Sequence, residues 1–169
     1  STRADNLRTA GPYQDNQPGW NRSQFYGEFN TSKRSLALDL KHARAREVVL
    51  PITRWADVIL ESFTPGAAAR LGFGYAEASL ANPSLIMVST CLMGQTGPLA
   101  PLAGYGYHAA AIAGFYDLTG WQGRAPVGPW NAYTDTIAPR FLTATLIAAL
   151  DHRRRTGEGQ QIDVGQLEA

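Results

Sequence analysis

Residues 57–91, DVILESFTPGAAARLGFGYAEASLANPSLIMVSTC, decide the fold. Asp57–Ser62 is a short apolar run between polar residues and reads as a strand. Thr64-Pro65-Gly66 opens a short helix through Arg70 and Leu71, with proline at a first-turn position. Tyr75 to Leu80 reads as a further helical turn. Ser84–Cys91 is a second apolar strand, ended by Gly94-Gln95-Thr96-Gly97-Pro98. Strands alternating with helices imply right-handed crossovers and a mainly parallel sheet, so the fold class is α/β with a Rossmann-like layer. Ligands in such sheets bind at the carboxyl ends of the strands. The loops that start at Ser62 and Leu92 are therefore the first places to look for a site.

Working outward, Leu36–Leu40 alternates with period two and predicts another strand. The next segment, 42–56, places Ala45, Val48, Val49, Ile52 and Trp55 on one helical face. Pro51 lies within it and predicts a kink, since a straight helix there costs about 3 kcal/mol. Residues 1–34 read as an irregular arm rich in Asn, Gln, Gly and Pro, whose Trp20, Phe25, Tyr26 and Phe29 need something to pack on. The remainder, 35–169, reads as part of the Rossmann-like domain. Gly104 to Phe115 is Ala-rich and helical. Arg140–Arg155 predicts a long helix with Leu142, Leu146, Ala149 and Leu150 on one stripe. Arg153, Arg154 and Arg155 form its solvated last turn, and Gly157 caps it. Gln161–Val164 predicts a last strand, and Gln166–Ala169 the start of another helix.

The chain has 169 residues, 44% hydrophobic and 17% charged, with a formal net charge of +1. This is globular composition, and near-neutrality argues against a nucleic-acid binder. No apolar run is long enough to span a membrane, and no secretory or transit signal is expected. One cysteine excludes a disulfide framework and multi-cysteine metal sites, and His42, His108 and His152 share no ligand spacing, so no metal is expected. The cations are 13 Arg and only 2 Lys, which singles out Lys33.

Asp135, in Tyr133-Thr134-Asp135-Thr136-Ile137-Ala138-Pro139, carries the most chemistry. Pro139 favours a first helical turn, which places Asp135 just before or within the long helix's N-terminus. There it is an N-cap carboxylate, or a nucleophile able to form an acyl intermediate, or both. Asn30–Ser35 is a polar, basic loop, either a solvated turn or a phosphate contact through Lys33. Arg70 is a surface charge or a second phosphate partner. Cys91 reads as a small buried residue, and Gly72-Phe73-Gly74 as a turn.

These pieces occur together in the order of a known family. Asn30-x-x-Lys33-Arg34-Ser35-x-x-Leu38-Asp39-Leu40-Lys41, Glu61-Ser62-Phe63-x-Pro65-Gly66, Arg70-Leu71-Gly72, Asn82-Pro83-x-Leu85-Ile86, Gly94-Gln95-x-Gly97-Pro98 and Arg155-Thr156-Gly157-x-Gly159-Gln160-x-Ile162-Asp163-Val164 resemble the motifs of family III CoA-transferases. That group includes the formyl-CoA, carnitine and bile-acid CoA-transferases and is related to α-methylacyl-CoA racemase. The resemblance covers roughly residues 25–169.

It implies a Rossmann-like large domain, incomplete at both ends here, whose long helix leads toward a second domain. It also implies two interlocked chains of a cytoplasmic enzyme. The implied reaction moves CoA from an acyl-CoA to a carboxylic acid, with coenzyme A as substrate and no metal. The family's aspartate falls on Asp135, which attacks the thioester to give a mixed anhydride and then an enzyme-CoA thioester. Its CoA contacts fall on Lys33, on Ser62 (where Asn is more usual) and Phe63, and on Arg70 and Leu71. Family racemases pair the aspartate with a histidine, and Tyr105 stands at that position. Tyrosine, with an ordinary pKa near 10, is a poor base for an α-proton at neutral pH. Transferase is therefore expected over racemase, with Tyr105 a hydrogen-bond donor. A non-catalytic fragment or subunit of the same fold is the other alternative. The aromatic stretch from Phe115 to Trp130, with Trp121, is a candidate acyl pocket.

Overall fold

The computed structural model describes residues 5–169 and divides into two compact units, one ending at Asp39 and one running from Leu40 to Ala169. In the first unit, the expected irregular arm contains a short helix, α1 (Gln24–Phe29). Ser23 starts it: its hydroxyl accepts the Tyr26 amide at 3.0 Å and donates to the Leu7 and Ala10 carbonyls. Arg8 holds the arm together from within. Its guanidinium lies 3.8 Å from the Tyr26 ring centroid and donates to the Trp20 carbonyl and the Tyr26 hydroxyl. Leu36–Leu40, expected as a strand, has no ladder partner among the described residues, and Leu36 stays exposed. Alternation supplies two faces, but a strand also needs a neighbour for its amides and carbonyls.

The second unit opens with α2 (Ala45–Trp55), which carries Pro51 inside it. The parallel sheet follows in the order β1 (Val58–Glu61), β2 (Ile86–Cys91), β3 (Gln160–Gly165). Val58 pairs with Ile86, and Ile86 with Gln160. Between β1 and β2 lie α3 (Ala67–Arg70) and α4 (Tyr75–Ala81). Between β2 and β3 lie α5 (Gly106–Ile112), α6 (Phe115–Leu118) and the long α7 (Tyr133–Thr156). Residues 166–168 form a turn, with the Ala169 amide donating to the Gly165 carbonyl at 3.2 Å.

The central strand β2 is buried on both faces over its first half, which is why Ile86–Val88 is continuously apolar rather than alternating. Leu85 and Met87 join Ala68, Phe73 and Ala78 on one side. Ile86 and Val88 join Ala149 of α7 on the other, with Leu142, Leu146 and Leu150 packed around them. Fully burying a large apolar side chain such as Leu85, Ile86 or Met87 contributes roughly 1.5–3 kcal/mol. The α7 stripe foreseen from its spacing is the stripe that meets the sheet.

Two details of α7 differ from expectation. It begins at Tyr133, so Pro139 sits inside it rather than in its first turn. A proline tolerates this by sacrificing one amide, here the donor that the Asp135 carbonyl would otherwise receive. At the other end Gly157 caps the helix as expected, but Arg153 is not a freely solvated charge. Its guanidinium donates to the Asp57 carbonyl at 2.9 Å and lies 3.3 Å from the Asp57 carboxylate, tying the end of α7 to the approach of β1. No helix among the described residues is long and apolar enough to cross a membrane.

Candidate active site

A cavity of about 710 Å³ opens at the carboxyl ends of β1 and β2. Its wall comes from 62–65 after β1 together with Arg70, from Cys91 at the end of β2 with Leu92 and 95–97 beyond it, and from 100–104 ahead of α5, with Asp135 and Gln166 closing it. Parallel strands end here and expose loop amides, so the position follows from topology.

Asp135 occupies the third position of α7, where a negative charge is favourable. It is not the N-cap. That position is Ala132, which has no side-chain cap, and the Asp135 carboxylate looks elsewhere for its partner. Oδ2 accepts the backbone N–H of Gly106, at the start of α5, at 3.2 Å. The neighbouring Thr134 is buried, and its hydroxyl lies 3.2 Å from Oε1 of Gln166. Gln166 is itself anchored, because its amide donates to the Cys91 carbonyl at 3.0 Å. The first turn of α7 is thus gripped by the start of α5 and by the residue that follows β3.

The loops on the opposite wall are also pinned. Glu61, 7% exposed, accepts the Phe63 amide at 2.7 Å. Oε1 of Gln95 accepts the Gly66 amide at 3.1 Å, and the Gln95 amide donates to Asp163 at 2.8 Å. One glutamine therefore connects the loops that follow β1 and β2 to the edge strand β3. Gly66, whose φ of 72° is left-handed, starts α3, so Pro65 stands just outside that helix instead of in its first turn. The Arg70 guanidinium donates to the Pro65 carbonyl at 3.2 Å and stays exposed at the cavity.

The expected site residues divide as follows. Asp135, Ser62, Phe63 and Arg70 come together around the cavity. Leu71 packs beside the core cluster of Phe73 and Leu85 and does not line it. Lys33 belongs to the first unit, where its ammonium donates to the Phe29 carbonyl at 2.8 Å and to Asn30 at 3.2 Å. Tyr105 is 67% exposed and also outside the lining; its amide donates to Nδ1 of His108 at 3.0 Å, its carbonyl accepts the His108 amide at 2.9 Å, and its ring meets that of Tyr107 edge to face. The 115–130 stretch forms a separate cavity of about 200 Å³ with Tyr116, Trp121 and Arg124 in its wall, and Trp130 is exposed. Cys91 reaches the main cavity only half-buried. Burial pushes its thiol above the ordinary value, and the charge of Asp163 adds to this. The roles of Gly106 and Gln166 leave no periodic trace, because they act through a backbone amide and a long-range side-chain bond; Glu61 and Gln95 stand within the quoted motifs, but their bonds to Phe63, Gly66 and Asp163 do not follow from spacing.

A parallel α/β layer with an acidic residue facing a cavity at its strand ends defines a ligand-handling α/β protein. The chain belongs to CoA-transferase family III, whose model matches residues 1–169. It is 37% identical over its whole length to a succinyl-CoA:(R)-benzylsuccinate CoA-transferase subunit of Thauera aromatica, and covers 41% of that protein. It is 37% identical to the acetyl-CoA:oxalate CoA-transferase of Acetobacter aceti, over 97% of this chain and 41% of that one. Among solved structures, a CaiB/BaiF family protein from Brucella suis matches with a TM-score of 0.87 and 32% identity, over 97% of this chain and 43% of that one. The chain thus spans about two-fifths of the length of these relatives.

Proposed function

We propose that this chain carries the CoA-transfer site of a family III enzyme, moving CoA from an acyl-CoA to a carboxylic acid with Asp135 as nucleophile. The observation that carries the reading is the Asp135 carboxylate: it faces a cavity of about 710 Å³ with one oxygen held by the Gly106 amide. An aspartate with only a capping duty would bond the amides of its own helix. The cavity wall suits an acyl-CoA: Arg70 supplies a cation for phosphate, and Phe63 an apolar face for the adenine or the acyl group.

The carboxylate attacks the thioester carbonyl, forming a C–O bond and expelling CoA thiolate. The thiolate then attacks Cγ of Asp135, giving an aspartyl-CoA thioester and releasing the donor acid. The acceptor carboxylate displaces CoA again, and attack of CoA on the new acyl group completes transfer. Each covalent step divides a difficult exchange into easier ones. The family's interlocked homodimer and a cytoplasmic location complete the proposal. The relatives' donors and acceptors, among them succinyl-CoA, acetyl-CoA, oxalate and benzylsuccinate, are the first substrates to test.

Incubation with acyl-CoA followed by hydroxylamine or borohydride tests the assignment. Mass spectrometry should find Asp135 modified; an unmodified Asp135 peptide in active protein refutes it. Racemization makes a different prediction, solvent deuterium at the α-carbon of a 2-methylacyl-CoA without CoA exchange. The proton relay this requires is weakened by Tyr105 in place of histidine and by His108, whose Nδ1 is already occupied by the Tyr105 amide.

A further inference from the structure

We infer that Gly106 fixes which oxygen of Asp135 does chemistry: its amide keeps Oδ2 as the retained oxygen and leaves Oδ1 as the sole nucleophile. This rests on the CoA-transfer reading. Two observations carry it. The Gly106 amide is 3.2 Å from Oδ2. A Cβ at position 106 would sit 2.9 Å from the Ala132 carbonyl carbon and oxygen and from the Asp135 nitrogen, so α5 meets α7 backbone to backbone. Neither wall is a flexible side chain that could yield. Thr134, one residue before Asp135, is held by Gln166, so the backbone from which the carboxylate projects keeps its distance to the Gly106 amide.

The consequence follows from counting atoms. Oδ1 attacks the thioester carbon, the C–S bond breaks, and CoA leaves as thiolate. When the thiolate attacks Cγ, the carbonyl electron pair moves onto Oδ2, where the Gly106 N–H meets the developing charge. Collapse breaks the Cγ–Oδ1 bond, and the donor acid departs with that oxygen. The acceptor carboxylate then adds one of its own oxygens to Cγ as thiolate leaves. After CoA attacks the acceptor's acyl carbon, that oxygen stays on Asp135. Each turnover therefore replaces the oxygen at the Oδ1 position, while a held Oδ2 is never exchanged.

The test uses the protein in its natural, active form with succinyl-CoA and oxygen-18 succinate, or acetyl-CoA and oxygen-18 acetate, whichever pair passes label into the thioester pool. After many turnovers the Asp135 peptide is weighed. One heavy oxygen at plateau is the expected result. Two heavy oxygens mean that the carboxylate flips between turnovers, which overturns the inference and leaves the nucleophile assignment standing. No label at Asp135 despite exchange, or no exchange with either pair, overturns the underlying reading as well. In Gly106→Ala, the displaced amide should lower kcat by about tenfold to a hundredfold, leave KM for the acyl-CoA within about twofold, and admit a second label. An unchanged single label at undiminished kcat in that variant also counts against the proposal. If the variant does not fold, the wild-type label count still decides.

Discussion

The carboxylate of Glu61 accepts the backbone N–H of Phe63 at 2.7 Å, just beyond the carboxyl end of β1. A buried acid is thereby used as a structural acceptor two residues from a cavity-lining aromatic ring. Phe63 also meets Phe73 edge to face, with ring centroids 6.3 Å apart. The ring is held from its backbone and from the core, so the wall it forms is fixed before any ligand arrives.

Glu61→Ala removes that acceptor and leaves an apolar void at the strand end. Stability should fall by about 1–3 kcal/mol, as for other buried charge-assisted hydrogen bonds. Because the Phe63 loop loosens, KM for an acyl-CoA should rise more than kcat falls. Glu61→Gln keeps a carbonyl oxygen and should recover most of both. Urea unfolding and steady-state kinetics on the two variants check this.

Asp135→Asn retains the size of the side chain and an oxygen for the Gly106 amide but loses the nucleophile. Turnover should drop by at least about a thousandfold. The loss of a favourable charge in the first turn of α7 should cost only about 0.3–1 kcal/mol, so the melting temperature should barely move. Kinetics and thermal melts on the same sample separate loss of chemistry from loss of fold.

How far the sequence led depended on how local each determinant is. β1, the start of β2 and the apolar stripe of α7 were legible because apolar runs and 3.6-residue spacing are written into short windows, and β3 because Ile162 and Val164 alternate with polar residues. Leu36–Leu40 misled because alternation says nothing about whether a partner strand exists. The start of α7 was misplaced by Pro139, whose preference for a first turn was overridden by packing of Ala132 and Thr134 against Gly106. The α/β class and family membership stand, and the cavity gathers Asp135, Ser62, Phe63 and Arg70. The grip of Gly106 and Gln166 on the helix start was not legible, since a glycine amide and a glutamine joined across long sequence separations give no spacing to read.

Gly159 approaches the chain before β2 closely enough that a Cβ would overlap the backbone of Leu85, while its amide donates to the Pro83 carbonyl at 2.9 Å. Gly159→Ala should therefore push β3 away from β2. A cost of about 1–3 kcal/mol is expected, in line with overpacking elsewhere. The matching change at Gly157, which has open space around it, acts only through its left-handed backbone and should cost less. Chemical denaturation of the two variants ranks them.

Cys91 gives a pH signature. Burial and the nearby Asp163 charge raise its thiol above the ordinary value of 9.0, so the folded protein holds this proton more tightly than the unfolded chain. The contribution to stability is therefore present in full below pH about 9 and declines as pH climbs from there through the folded value. Two measurements follow. Iodoacetamide should label native Cys91 more slowly at pH about 8 than the same residue in urea, because the thiolate is the reacting species. Cys91→Ser should flatten the fall in stability above pH about 9, since it removes a group that titrates differently in the two states. Equal labelling rates, or an unaltered pH slope in the variant, would show that the thiol is not held in its protonated form by the fold.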